Sequence, residues 1–443
     1  MMNYIDDTIA AISTPIGAGG IGIVRLSGKD AFSIADKIFD GKKIPSMMPS
    51  HTITYGNIID IDKSIIDEVL LTVMTAPKTY TVEDIVEINC HGGLLMVRRI
   101  LELLLKSGAR LASPGEFTMR AFINGRIDLA QAEAVADIVN ASTIESGKAA
   151  SDQLNGRLSQ AVERLREELV DVISYIEAYI DFPDEDFSID EINLKLKDIS
   201  DKLQSLLDTY KTGRFFREGL SIAITGKPNV GKSSLLNAFI KRDRAIVTEI
   251  PGTTRDTLEE MLNISGIPVR LIDTAGIRPS SDIIESEGIR RSLETIKEAD
   301  IVIVLFDGSM SMTLEDKEML NIAGTKALKV INKSDLKRYI EDIPQAISIS
   351  AKTGAGLSQL KEAIISKASL NKCPPNGIIL TNIRHKHAIE QALDCIHRAL
   401  NLSPAELVAL EIRETLGYLA EIIGEVTTDE ILNNIFSEFC IGK

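Results

Sequence analysis

The chain predicts a multidomain protein: an α+β N-terminal domain, an all-α helical domain, and an α/β P-loop domain inserted in the helical one. Three observations carry this reading. Residues 1 to about 120 alternate short apolar runs with glycine-rich turns. Apolar stripes at helical spacing lie on both sides of a block in which strand and helix patterns alternate. That block opens on Gly226-Lys227-Pro228-Asn229-Val230-Gly231-Lys232-Ser233, which fits G-x-x-x-x-G-K-[ST]. The expected divisions are residues 1–120, 121–213, 214–370 and 371–443, the second and fourth making one helical domain.

Each element has a local reason. Thr8–Ile12 and Ile21–Leu26 read as strands around the loop Gly17-Ala18-Gly19-Gly20, and Ala31–Phe39 has helical periodicity. Thr52–Tyr55, Val69–Val73 and Asp84–Ile88 read as strands. From Gly93 to Lys106, Leu94, Val97, Ile100, Leu101 and Leu104 share one helix face. Leu154, Leu158, Val162, Leu165, Leu169, Val172 and Ile176 then recur at intervals of three and four, one stripe ending before Phe182-Pro183. Leu196, Ile199, Leu203 and Leu206 make another, and such stripes pack as bundle core. Leu220–Thr225, Ser233–Ile240, Val269–Asp273, Ile301–Asp307, Ala327–Ile331 and Ala346–Ser350 alternate as a doubly wound sheet requires. Ser403-Pro404-Ala405-Glu406 is a capping box with proline at N1, opening a helix over 404–424, and Thr427–Glu430 opens a short last one. The α/β block is expected to hang from a hinge around Lys211–Arg217.

Composition sets bounds. With 44% hydrophobic and 26% charged residues the chain reads as a soluble globular protein. A net charge of −15 argues against a broadly basic, nucleic-acid-coating surface, but leaves room for a local basic patch or for RNA shared with a basic partner. Cys90, Cys373, Cys395 and Cys440 form no C-x-x-C pair, so a reducing, cytoplasmic setting is expected. The acidic N-terminus carries no signal-peptide pattern, and no apolar run approaches the ~18 residues of a membrane span.

The chemistry starts at the P-loop. Its glycines let backbone N–H groups surround phosphates at a helix N-terminus. Lys232 would reach the β- and γ-phosphates, and the Ser233 hydroxyl would ligate Mg²⁺. Four further stretches follow in order. Asp273-Thr274-Ala275-Gly276 offers a carboxylate for Mg²⁺ and an N–H for the γ-phosphate. Gly252-Thr253-Thr254-Arg255-Asp256 lies where a switch threonine should cap the metal. Asn332-Lys333-Ser334-Asp335 ends a strand, and Asp335 can accept from both N1–H and N2–H of guanine, which adenine does not offer. Ser350-Ala351-Lys352 can present an N–H to guanine O6. Together they predict GTP binding. The position after Gly276, where Ras-type enzymes carry a water-positioning Gln, is Ile277. Arg255, Arg278, Asp282, Glu285 and Glu287 are the candidates to replace it, with Asn229 able to ligate a cation, and spacing does not choose among them.

Beyond these motifs the chain resembles the MnmE (TrmE) tRNA-modification GTPase family over its whole length. The resemblance rests on the P-loop, Gly252–Asp256 and the terminal Cys440-Ile441-Gly442-Lys443. Asp7–Ala11, Gly19–Gly28, His91-Gly92-Gly93, Pro114–Phe117 and Asp128–Ala134 add to it. It implies a folate-binding N-terminal domain that also mediates a homodimer. It implies a heterotetramer with MnmG, a flavoprotein that uses FAD and NADH, and modification of tRNA at C5 of the wobble uridine. The one-carbon unit comes from methylenetetrahydrofolate. It also implies GTP contacts at Asn229, Val230, Gly231, Lys232, Ser233, Ser234, Thr248, Glu249, Ile250, Pro251, Gly252, Thr253, Thr254, Asp273, Thr274, Ala275, Gly276, Asn332, Lys333, Asp335, Ser350, Ala351 and Lys352. K⁺ falls to Asn229, Thr248, Ile250 and Thr253, Mg²⁺ to Ser233 and Thr254, and the water-orienting role to Glu285. Folate falls to Arg25, Glu87, Arg126 and Lys443, with arginine at 126 where the family often has lysine, and Cys440 is the reactive thiol. The rival reading is a ribosome-assembly or signalling switch, which would need an RNA-binding module such as a KH domain; none follows the α/β block.

Overall fold

Alternating apolar and polar residues in the first hundred positions fold as strands with one buried face. In the computed structural model, residues 7–181, 189–243, 259–273, 294–368, 377–402, 404–437 and 439–442 are described. They divide into two compact units: residues 7–136 with 420–442, and the described residues from 137 to 419.

In the first unit, β1 (Ile9–Ile12), β2 (Ile21–Ser27), β3 (Phe39–Gly41), β4 (Thr52–Ile59), β5 (Ile65–Met74), β6 (Ile85–His91) and β7 (Arg110–Leu111) form one sheet in the order β3-β4-β5-β6-β2-β1-β7. All pairs are antiparallel except β1–β7. Helices α1 (Ala31–Ile38) and α2 (Leu94–Lys106) contribute Ile34, Ile38, Val97 and Ile100 to a core with Val24, Leu71, Val86 and Ile88. The period of two in each strand puts the alternate residues on the other face, where Ile21, Ile53, Tyr55 and Leu70 stay exposed. Helix α3 (Glu116–Ile123) carries the buried Glu116 and Arg120 into a partly buried charge network. Arg110 and Arg120 both bond Asp7 and Glu116, and Arg120 adds Glu83. Burial alone would raise the Asp7 and Glu116 carboxyls, but the hydrogen bonds from these arginines outweigh it and hold both below their usual range. Helix α4 (Leu129–Asn140) comes next.

The second unit begins its helices with α5 (Ile144–Leu154), opened by a capping box between Thr143 and Ser146. Then comes a departure from expectation: the stripe from Leu154 to Ile176 is not one helix. Gly156 takes φ +79°, a left-handed conformation that ends α5, and α6 runs Arg157–Asp181. Asp181 is the last described residue of α6, and the expected end before Phe182-Pro183 falls on residues outside the described ones. Helix α7 (Ile189–Glu218) runs unbroken through the stretch expected as a hinge. It leads into β8 (Leu220–Thr225), every residue of which is buried.

Strand β8 is central because its continuous apolar run can be covered on both faces. With α8 (Lys232–Asp243), β9 (Glu259–Ile264), β10 (Ile267–Asp273) and β11 (Ile301–Asp307) it starts the α/β layer, which α9 (Leu314–Ala323), β12 (Ala327–Asn332), β13 (Ile347–Ser348) and α10 (Leu357–Lys367) complete. The order is β13-β12-β11-β8-β10-β9, parallel except for β9, a hairpin partner of β10 that sequence reasoning missed. Separate cores cover the two faces, one with Ile222, Leu235, Phe239 and Leu360, the other with Ala223, Val302, Val304 and Phe306.

Helix α11 (Ile383–Ala399) packs on α7, as two halves of one helical domain should. Helix α12 (Ala405–Ile423) matches the range expected from its capping box, whose Ser403 lies outside the described residues. The last helix, α13 (Asp429–Ser437), belongs to the first unit, where Leu432, Phe436 and Phe439 pack with Ala121, Leu129 and Ala132. Among the described residues no helix is long and apolar enough to cross a membrane.

Candidate nucleotide site and a second cation–aromatic site

Among the described residues, the phosphate loop, Asp273, Asn332–Asp335 and Ser350–Lys352 lie at the carboxyl edge of the second sheet. Strand β8 ends at Thr225 and the phosphate loop begins. Gly226 takes φ +152°, and a Cβ there would stand 2.5 Å from the Leu305 carbonyl oxygen. Gly231 takes φ +101°, and its Cβ would meet the Asn332 amide nitrogen at 2.3 Å. Only glycine fits either place. Between them Asn229 holds φ 65°, a left-handed angle that asparagine tolerates better than most residues. Positive-φ residues ahead of a helix are the backbone pattern of an anion-binding nest. Val230 is buried beneath the loop, and Ser233 and Ser234 are exposed in the first turn of α8. Lys232 Nζ donates to the carbonyls of Gly226 at 2.5 Å and Lys227 at 3.0 Å, so the ammonium already sits over the loop. Asp273 pairs with Ile224 in register, which places it at the same edge of the sheet.

The two segments expected to read the base are tied to this loop by one amide. Asn332 is 3% exposed. Its Nδ2 donates to the Val230 carbonyl at 2.8 Å, and its Oδ1 accepts the Ala351 N–H at 2.9 Å. Phosphate loop, Asn332–Asp335 and Ser350–Lys352 are thereby one construction. The buried Ser350 hydroxyl donates to Asp335 Oδ1 at 2.6 Å, which lowers the Asp335 pKa and keeps the carboxylate charged. Lys333, at φ 64°, reaches Asp307 at 2.5 Å, and Lys352 is exposed. Burial pushes the Asp307 carboxyl up, yet the bonds from Lys333 and Ser309 bring it below its usual value.

A second arrangement stands in the first unit. Arg25 on β2 faces Glu87 on β6 in register; its Nε and Nη2 converge on Glu87 Oε1 at 2.8 and 2.7 Å. The guanidinium lies 5.7 Å from the Phe117 ring centre and 5.9 Å from that of Tyr80. Arg126 covers Tyr80 at 4.8 Å. A carboxylate held by an arginine among aromatic rings suits a flat heterocycle with hydrogen-bonding edges. Residues 440 and 442 are bonded within this unit. Gly442 sits at φ +100°; its carbonyl accepts from the Ser13 hydroxyl at 3.2 Å, and the Gly115 N–H donates to the Cys440 carbonyl at 3.4 Å. Ser13 is two residues from Ala11, the register partner of Arg25, and the Cys440 side chain is exposed.

Comparisons with known proteins agree along the whole chain. The family profile described as the N-terminus of the GTP-binding protein TrmE matches residues 8–126, and that of the MnmE helical domain matches residues 129–440. Proteins called tRNA modification GTPase MnmE from Acetivibrio thermocellus and Alkaliphilus oremlandii are each 47% identical, covering 99% of this chain and 100% of their own. This chain belongs to the MnmE family. The MnmE of Lactiplantibacillus plantarum is 44% identical over 99% of this chain. Among solved structures, the G domain of the T. maritima FeoB iron transporter covers 34% of the chain at 30% identity; its TM-score of 0.25 carries no inference.

Within this MnmE-family chain the structure brings together Asn229–Ser234, Asn332, Lys333, Asp335, Ser350 and Ala351, and separately Arg25, Glu87 and Arg126. Thr248, Glu249, Ile250, Pro251, Gly252, Thr253, Thr254, Thr274, Ala275, Gly276, Glu285 and Lys443 lie outside the described residues. Cys90 is a packing residue: its thiol bonds the Gly22 carbonyl at 3.3 Å, and burial pushes its pKa up to about 11. His91 is held by Asp67 at 2.6 Å. Sequence reasoning missed Asp307, Tyr80 and Phe117. The signal for Asp307 was a carboxylate closing an apolar strand run; the two aromatics had no periodicity to mark them.

Proposed function

We propose that this MnmE-family protein is a K⁺-stimulated GTP hydrolase that, with a flavoprotein partner, installs a (carboxymethyl)aminomethyl group at C5 of the wobble uridine of certain tRNAs. The observation that carries the GTP reading is the Asn332 amide joining the phosphate loop to both base-reading segments. Asp335 then presents an anchored carboxylate, whose two acceptor oxygens match the two N–H groups of the guanine edge. The relatives' name, at full length and 47% identity, supports tRNA as the substrate.

In hydrolysis Lys232 and the loop amides bind the phosphates, and Glu285 orients the attacking water. Mg²⁺ would be held by Ser233 and Thr254. Exposure of Ser233 at the first turn of α8 fits that role. Asn229, with Thr248, Ile250 and Thr253, would hold K⁺; its exposed amide oxygen is a hard donor suited to such an ion. Bound there, K⁺ supplies positive charge beside the transferring phosphoryl group. In the first unit Glu87 would take the amino-pyrimidine edge of a folate, while Arg25, Arg126 and Lys443 take its carbonyl and carboxylates. The ring-flanked Arg25–Glu87 pair fits this ligand because it holds the carboxylate in place between aromatic rings. We assign Cys440 as the reactive thiol. The exposed sheet face carrying Tyr55 opposite Leu70, with Ile53 and Ile21, supports a homodimer through this unit. The partner is an MnmG-type protein carrying FAD, in a heterotetramer. On this reading residues 1–120 bind folate, 121–213 with 371–443 form the helical domain, and 214–370 form the G domain.

The deciding experiment is nucleoside analysis of tRNA from a strain lacking this protein. Wobble uridine without the C5 group is expected; normal modification overturns the proposal.

A further inference from the structure

The segment between β11 and α9 touches the nucleotide site at both ends. At its start Asp307 receives Lys333 of the base-reading motif at 2.5 Å. At its end it receives the phosphate loop. Lys227, the residue after Gly226, sends Nζ to Asp316 Oδ2 at 2.6 Å and to Thr313 Oγ1 at 2.8 Å. The same Asp316 oxygen accepts the Thr313 N–H at 2.9 Å and its hydroxyl at 3.0 Å, which is the capping box of α9. Lys227 is thus fixed twice, its side chain on α9 and its carbonyl under Lys232.

An exposed ion pair of this kind would add little. This one is different in burial: the Asp316 side chain is 5% exposed and the Lys227 side chain 20%. The loop it holds also needs holding. Gly226, Asn229 and Gly231 all sit at positive φ, and such backbone persists only where its surroundings over-determine it. We infer that the Asp307–Asp316 segment is a strap across the nucleotide loops, with Asp316 a positioning residue that acts on the phosphate loop through Lys227. This deepens, and rests on, the reading of the site as a guanine nucleotide site.

The test uses the full chain and fluorescent N-methylanthraniloyl GDP and GTP, with Lys227→Met, Asp316→Asn, their double variant and Lys227→Arg. Each of the first two should weaken both nucleotides about fivefold, and the double variant should bind no worse than the weaker single. Lys227→Arg keeps the charge and should stay within about twofold of the parent, a rescue that a merely structural role does not require. In GTP turnover the loss should fall on KM, with kcat within about twofold. Thermal unfolding without nucleotide identifies any variant that fails to fold; if Asp316→Asn does, the contrast between Met and Arg at 227 decides alone. Additive losses, or Lys227→Met binding like the parent, overturn the strap. A parent chain that binds neither nucleotide overturns the nucleotide reading itself.

Discussion

Replacing Gly213 by alanine should destabilise the second unit, although the same change in an open helix stabilises. Gly213 lies inside α7, four residues past Thr209 and in the helix that delivers β8 and the phosphate loop. A Cβ at this position would stand 2.0 Å from the Leu380 carbonyl oxygen and 2.4 Å from Ile379 Cγ2. Leu380 has no easy retreat. It is fully buried, and its N–H bonds Thr209 Oγ1 at 3.0 Å. The helical preference of alanine over glycine contributes about 1 kcal/mol in favour of the variant. Overpacking against backbone costs about 1–3 kcal/mol, and losing the Thr209 bond from a buried N–H adds about 1–3 kcal/mol. The balance is about 3 kcal/mol of destabilisation. For a unit of this size that lowers the thermal midpoint, followed by circular dichroism, by about 6–12 °C. Gly417 in α12 has nothing within 4 Å of its Cβ position, so Gly417→Ala is the control and should raise the midpoint by about 2–4 °C. A Gly213→Ala midpoint equal to or above the parent's would show that segment 379–380 does not lie on α7 as described.

Asp335→Ala removes the acceptor for two guanine N–H groups, and at about 1.5 kcal/mol each for charge-assisted bonds it should weaken GTP binding about 100-fold; unchanged affinity by titration would separate Asp335 from base recognition. GTP turnover should be several-fold faster in K⁺ than in Na⁺, about 1 kcal/mol at the barrier, and Asn229→Ala should erase the difference; equal rates for the parent in both salts remove the cation role. Asp7 and Glu116 titrate below their ordinary values of 3.8 and 4.5 when folded. Carboxylates with depressed pKa contribute stability above those values and lose it as pH falls through them. Denaturant midpoints of the first unit should therefore hold steady above pH 5 by about the unfolded titration range and drop below it; Arg120→Met should flatten that drop, and an identical slope in the variant would refute the assignment.

The nucleotide motifs were legible because short-range backbone demands write themselves into sequence. Gly226 and Gly231 are glycines for reasons of φ and space that no other residue meets, and a buried run such as Ile301–Phe306 can only be an inner strand. Helix stripes were legible for the same reason, since 3.6-residue periodicity is local. The error at Leu154 is instructive: its spacing continued the stripe, but Gly156 ended the helix through a left-handed turn that periodicity does not weigh. The edge strand β9 was missed because Glu259-Glu260-Met261-Leu262-Asn263-Ile264 is too polar to read as a strand until β10 pairs with it.

From its sequence alone this protein was determined to carry a guanine-type nucleotide site on a doubly wound sheet, flanked by helices and preceded by a strand-rich domain. Those features depend on residues close together in the chain. Only the tertiary structure decided that Lys227 meets Asp316, that Lys333 meets Asp307, that Arg25 sits among Tyr80 and Phe117, and that Cys440 and Gly442 bond Gly115 and Ser13. Each of these is a contact between distant segments, set by the register of strands and the packing of helices. A pairing of that kind leaves no periodic trace, because either partner taken alone looks like an ordinary surface charge or an ordinary core ring.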